Sequence, residues 1–113
     1  MLYMMLLSHW EAPEGMAPAQ RESLLAELQR WWRDNRAAGA IVDGKQFQPP
    51  TTATTVVIGD GGSTLIDGPY LESRDVVGGY GILDVPDLDA ALALARTWPL
   101  PGSRIELRPV AAT

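Results

Sequence analysis

His9 is the chain's one histidine, and it stands with Trp10 at the end of the apolar run Met1 to Leu7. Histidine is the side-chain type that titrates near neutrality, so general base chemistry is the role to test for it. The carboxylate most worth setting beside it is Asp67, in Asp67-Gly68-Pro69-Tyr70. An Asp at a strand end next to a phenol can hold a ligand or move a proton. It can equally bond the backbone amides of residues 69–71 and fix a bend, since Asp-Gly-Pro is a chain-reversal signal. His9 and Asp67 are the two catalytic candidates. They do not make a complete catalytic constellation, and whether the chain is an enzyme stays open on its residues alone.

Binding candidates lie elsewhere. In Gly78-Gly79-Tyr80-Gly81 the glycines at 79 and 81 share a strand face and leave it without side chains, which admits either a helix backbone or a small ligand. Tyr80 points to the opposite face. The stretch lacks the strand–glycine loop–helix context of a phosphate loop. Arg108 projects with Arg104 and Glu106, and if that face is covered it needs a carboxylate from Asp67, Glu72 or Glu106. It is then a tie between subunits or an anion site. Trp10 is the aromatic placed to touch solvent or ligand, whereas Trp31, Trp32 and Trp98 read as core. With one histidine and no cysteine there is no metal-ligand set, and no cofactor is expected.

The totals narrow the partners. A formal net charge of −5 with Lys45 the single lysine repels polyanions, and Arg21, Arg30, Arg33 and Arg36 are interleaved with Glu22, Glu27 and Asp34, so direct nucleic-acid binding is not expected. Absence of cysteine excludes disulfides and thiol chemistry and accords with a cytoplasmic location. The opening apolar run lacks a basic leader and is far shorter than the ~20 residues that span a bilayer. It reads as a buried strand, and no membrane association is expected.

These candidates hang on a single domain, residues 1–113. Residues 2–8 form a strand apolar at odd and even positions alike. Leu24, Leu25, Leu28, Trp31 and Trp32 recur at helical spacing from about Ala19 to Ala38, with Pro18 suited to the first turn and Gly39 to the stop. Residues 40–53 read as an irregular connection. Thr54–Ile58 and Ser63–Asp67 flank the turn residues Gly59-Asp60-Gly61-Gly62 as a hairpin. Val76–Asp84 is the next strand. Asp87 caps a second helix with Leu88, Ala91, Leu92, Ala95 and Trp98 inward and Pro99 at its end. Arg104–Val110 is the last strand.

The order β-α-β-β-β-α-β predicts an α+β fold, a ferredoxin-like split βαβ plan with one extra hairpin strand. Helices then cover one sheet face, and the doubly apolar first strand predicts that a second copy covers the other. On the reading that the first strand and Val76–Asp84 run parallel, His9 and Asp67 fall at opposite sheet ends, roughly 17–20 Å apart.

Asp67-Gly68-Pro69-Tyr70, Gly78-Gly79-Tyr80, Asp87-Leu88-Asp89-Ala90-Ala91 and Arg104–Val110, in that order, resemble the YCII-related family, in particular its DGPF-motif branch. The resemblance implies a homodimeric α+β barrel. Relatives usually carry Phe where Tyr70 stands, and the histidine that some place on the first helix has no counterpart between Pro18 and Ala38, so a His–Asp dyad does not carry over. Two functional readings follow. One is a protein that binds or transforms a small molecule in a cleft of the barrel. The other is a non-catalytic regulatory partner of an extracytoplasmic-function sigma-factor system, a role the resemblance alone implies. A third reading treats every named motif as architecture.

Overall fold

A computed structural model describes residues 1–69 and 76–112. The elements run β1 (Leu2–Ser8), α1 (Pro18–Ala37), β2 (Ile41–Gln46), a short 3-10 turn (Pro50–Thr52), β3 (Thr54–Gly59), β4 (Gly62–Asp67), β5 (Val77–Asp84), α2 (Leu88–Ala95) and β6 (Ile105–Pro109). The expected α+β class is present. So is the split βαβ plan: four antiparallel strands in the order β2-β5-β1-β6, while β3 and β4 form a sheet of their own.

Three expectations are corrected. Residues 41–46 are a strand, not an irregular connection, so the chain carries a whole extra hairpin rather than one extra strand. The β2 pattern was hidden because a register shift between Ile41 and Asp43 breaks its alternation and Gly44 interrupts it. Strand direction is the second correction. Crossover α1 makes β1 and β2 run the same way, and β5 inserts between them antiparallel to both. His9, just beyond β1, therefore meets the beginning of β5: its amide donates to the Val76 carbonyl at 2.7 Å. The premise that put His9 and Asp67 at opposite sheet ends fails. Third, Leu88 is exposed rather than inward. Helix α2 ends at Ala95, where Arg96, Thr97 and Trp98 amides bond back to Leu92, Leu94 and Ala95, so Pro99 follows the end instead of making it.

The helices are placed by the signals that predicted them. Pro18 opens α1, and Gly39 takes φ 77° after its end. The Asp87 carboxylate accepts from the Ala90 amide at 2.9 Å, capping α2. Both helices cover one sheet face, where Tyr3, Met5, Leu7, Ile41 and Leu83 meet Trp31 and Ala91. Alternation along β1 puts Leu2, Met4, Leu6 and Ser8 on the other face with Tyr80 and Ile82 of β5. Met4, Leu6, Tyr80 and Ile82 are largely apolar and only partly covered, and the flanking strands bring Asp43 and Lys45 on one side and Glu106 and Arg108 on the other.

Among the described residues, no helix is long and apolar enough to cross a membrane.

Candidate functional site

The strand-end glycines decide how β1 leaves the sheet. Leu7 pairs with Gly79 but Ser8 pairs with Val77, so Gly78 is the extra residue of a bulge. A Cβ on Gly78 would lie 2.5 Å from the His9 Cα and 2.9 Å from its amide nitrogen. Only a residue without a side chain lets His9 settle there. Beyond the bulge, the chain is held to the α2–β6 loop: Ser8 N–H donates to the Arg104 carbonyl at 3.0 Å, and the Arg104 amide donates to the Ser8 hydroxyl at 2.9 Å. The Trp10 indole N–H donates to the Pro101 carbonyl at 2.8 Å.

This end of the sheet opens into a cleft of about 160 Å³. Its walls come from five segments. His9 and Trp10 follow β1, Arg21, Leu25 and Leu28 lie on α1, Gln46 and Phe47 end β2, Gly78 is the bulge, and Trp98 and Leu100 lead toward β6. His9 is about three-quarters buried, and its Nε2 stands 3.5 Å from the Glu11 carboxylate, which is exposed. Such a pair adds little stability. The walls combine one imidazole, one guanidinium and one amide with an apolar floor. That set can bind a small polar molecule by its charged end and exchange a proton with it. No group of three or more His, Asp or Glu side chains that could hold a metal is found among the described residues.

A model of the YCII-related domain matches residues 1–112. The chain belongs to the YCII-related family. An uncharacterised protein of Rhizobium meliloti (strain 1021) is 29% identical over 116 residues, covering 98% of this chain and 93% of that one.

In this YCII-related protein the sequence candidates scatter. His9 and Trp10 share the cleft. Asp67 ends β4, paired with Thr54 and exposed. The neighbouring Gly68 takes φ 110°, donates its amide to the Ala53 carbonyl at 2.8 Å and accepts from the Thr55 hydroxyl at 2.8 Å. The bend is thus tied through glycine, while Tyr70 and Glu72 lie outside the described residues. No hydrogen bond or ion pair joins the His9 and Asp67 side chains among the described residues.

Gly79 and Gly81 do not line the cleft. A Cβ on Gly81 would meet Met5 Cε at 3.0 Å and the Trp32 ring at 3.5 Å, and one on Gly79 would meet the Lys45 carbonyl at 2.8 Å. The side-chain-free groove is filled by helix α1 and by the neighbouring strand. Gly44 does the same on β2, where a Cβ would lie 2.6 Å from the Trp32 ring. Arg36 seals that contact by donating to the Gly44 carbonyl at 2.7 Å and lying over the Trp32 ring.

Arg108 lines a separate, shallow concavity of about 500 Å³ on the open sheet face, with Leu6, Ser8, Val77 and Glu106. Of its three candidate partners, Glu106 supplies the carboxylate, at 3.6 Å, with both side chains well exposed in the single chain. Tyr80 is on this same face. Its hydroxyl donates to Asp43 at 3.2 Å, and Phe47 lies 6.1 Å away. Partial burial, and then the Asp43 charge and hydrogen bond, push the phenol above the ordinary tyrosine value, with Arg36 opposing. A raised value means that folded stability is intact below the unfolded tyrosine pKa and falls as pH rises through the folded one. Absorbance titration near 295 nm, taken as wild type minus Tyr80→Phe, should show this phenol ionising later than a free tyrosine. Asp43→Asn should bring it earlier. An unchanged midpoint in Asp43→Asn would remove that carboxylate as a cause.

Arg21, Gln46 and Phe47 were not named as site residues by sequence, and Gly78 entered only as part of a glycine run. For Arg21 a signal existed: it precedes Leu25 and Leu28 by four and seven residues, so it continues the inward stripe of α1. Gln46 was hidden with β2.

Proposed function

We propose that this protein is a homodimer that binds a small organic acid in the cleft, with His9 placed to exchange a proton with it. The observation that carries the reading is the meeting of the one histidine with Arg21, Gln46 and Trp10 in one cleft assembled from five segments. Arg21 supplies a planar donor fork for a carboxylate. Leu25, Phe47 and Leu100 take the apolar remainder of the ligand, and the small volume favours a compact one. His9, beside Glu11, faces the bound molecule as base or acid. The dimer follows from the open face, where Leu2, Met4, Leu6, Tyr80 and Ile82 lie uncovered by any helix, as in the α+β barrel that the DGPF-type motif implies.

Benzoate and benzamide test the cleft, because they share a ring and differ in charge. Benzoate should shift the Trp10 indole N–H resonance at millimolar concentration, and benzamide should do so much less. Arg21→Gln should weaken benzoate at least about tenfold and leave benzamide unchanged. His9→Gln should keep benzoate binding but abolish the proton uptake read from calorimetry in buffers of different ionisation enthalpy. Equal binding of both compounds by wild type and Arg21→Gln would sink the organic-acid reading.

A further inference from the structure

The β3–β4 hairpin contributes no residue to the cleft. Pairs from Thr54↔Asp67 to Gly59↔Gly62 make it a two-stranded ribbon, and it joins neither edge of the four-stranded sheet. Paired residues share a face, so Val56, Ile58 and Leu65 lie on one side, and Val57 and Ile66 on the other. Ile58 is 83% exposed and Leu65 69%. A two-stranded hairpin with both faces in water is at best marginally stable, so this one needs cover from elsewhere.

The dimensions show how much cover. The chain's radius of gyration is 16.2 Å, against about 13 Å for a compact chain of this length. Its accessible surface is 7847 Å², whereas a folded monomer of 12.2 kDa exposes about 6,100 Å². The surplus, about 1,700 Å² per chain, is twice the ~800 Å² that each partner gives to a standard interface and falls in the obligate range. The same chain carries two uncovered apolar surfaces, the hairpin and the open sheet face. A single two-fold operation can cover both, because each copy presents both surfaces to the other.

We propose that the β3–β4 hairpin is a clasp that packs Val56, Ile58 and Leu65 against the second copy of this chain, extending the sheet-face contact. The inference rests on the homodimer proposed above, and its failure can be told apart from that one. Both feet of the hairpin excursion enter from the cleft end of the sheet, since β2 leaves at Gln46 and β5 begins at Val77. The arm therefore springs from beside the ligand cleft, and clasping orders the rim from which Gln46 and Phe47 reach it.

Sedimentation equilibrium on the full chain tests this with two variants. Ile58→Asp with Leu65→Asp should raise the dimer dissociation constant at least about 100-fold, while circular dichroism keeps the wild-type strand and helix content. Ile82→Asp, on the sheet face, should give a monomer. A wild-type dissociation constant in the hairpin variant, alongside a monomeric Ile82→Asp, overturns the clasp and leaves the dimer standing. A wild-type chain that is monomeric at micromolar concentration overturns both. Hydrogen exchange gives a readout independent of substitution. Amides 56–58 and 64–66 should be protected in concentrated wild-type protein and exchange faster on dilution through the dissociation constant. Exchange that is equally fast at every concentration overturns the clasp, and protection that persists in a fully dissociated monomer does so too.

Discussion

Gly78→Ala is expected to destabilise the protein by about 3 kcal/mol or more and to abolish ligand binding in the cleft. The added Cβ would stand 2.5 Å from His9 Cα, 2.9 Å from His9 N and 3.2 Å from His9 Cβ. Two of these are main-chain atoms that no rotamer change can move. Either β1 lifts from β5, breaking the bond from the His9 amide to the Val76 carbonyl, or β5 shifts and loses the bond from the Phe47 amide to the Gly78 carbonyl. Both bonds flank the cleft, so relief of the clash moves His9 or Phe47. Thermal unfolding at fixed protein concentration should show a midpoint lowered by roughly 10–20 °C. Gly61→Ala is the control: a Cβ there meets nothing within 4 Å and φ is not positive, so its effect should lie within about 0.5 kcal/mol. If Gly78→Ala matched that control and bound benzoate normally, the bulge would not be what positions His9.

The bulge also marks where sequence reading stops. Both helices, the hairpin, β1, β5 and β6 were legible because each carries a local cue: a 3.6-residue stripe, a glycine-rich turn, a short apolar run, a two-residue alternation or a cap. Strand β2 had none of these intact, since Asp43 and Gly44 interrupt the Ile41–Gln46 run and Pro49-Pro50 follow it closely. Missing it hid one wall of the cleft. His9 was found because it is the chain's one histidine, and Trp10 because it adjoins His9 where the first strand ends. Their neighbours were not, because Arg21, Gln46 and Leu100 come together only once strand order and direction are known. The face left bare by Gly79 and Gly81 suits either a helix or a small ligand on sequence alone, and packing against Trp32, Met5 and the Lys45 carbonyl is what fills it. Glycines mark close approach, and which atom approaches is a tertiary fact.

Trp31→Ala should cost about 3–5 kcal/mol, the usual range for deleting a buried indole. Trp31 holds the two helices together. Its ring stands edge-on to Trp32 at 5.3 Å and to Trp98 at 5.0 Å, and Trp32 and Trp98 themselves meet at 5.8 Å. Edge-to-face pairs of this kind add stabilisation beyond buried area. The indole N–H donates to the Thr97 hydroxyl at 2.8 Å, and that hydroxyl donates to the Leu94 carbonyl at 2.6 Å, so one hydrogen-bond chain runs from α1 into the end of α2. Removing the indole leaves a cavity and strands the Thr97 hydroxyl without its donor. Trp31→Phe keeps a ring and loses the bond, so about 1–2 kcal/mol is expected of it. Guanidinium unfolding followed by far-UV circular dichroism separates the two variants without relying on tryptophan emission. The same deletion reaches the cleft, because Leu28 and Leu25 precede Trp31 on the inward stripe of α1 and line it, as does Trp98, which packs edge-on against Trp31. Benzoate binding should therefore weaken in Trp31→Ala under conditions where the variant is still folded. A cost under about 1 kcal/mol, with binding unchanged, would show that the tryptophans pack beside one another without fixing the helices that carry the site.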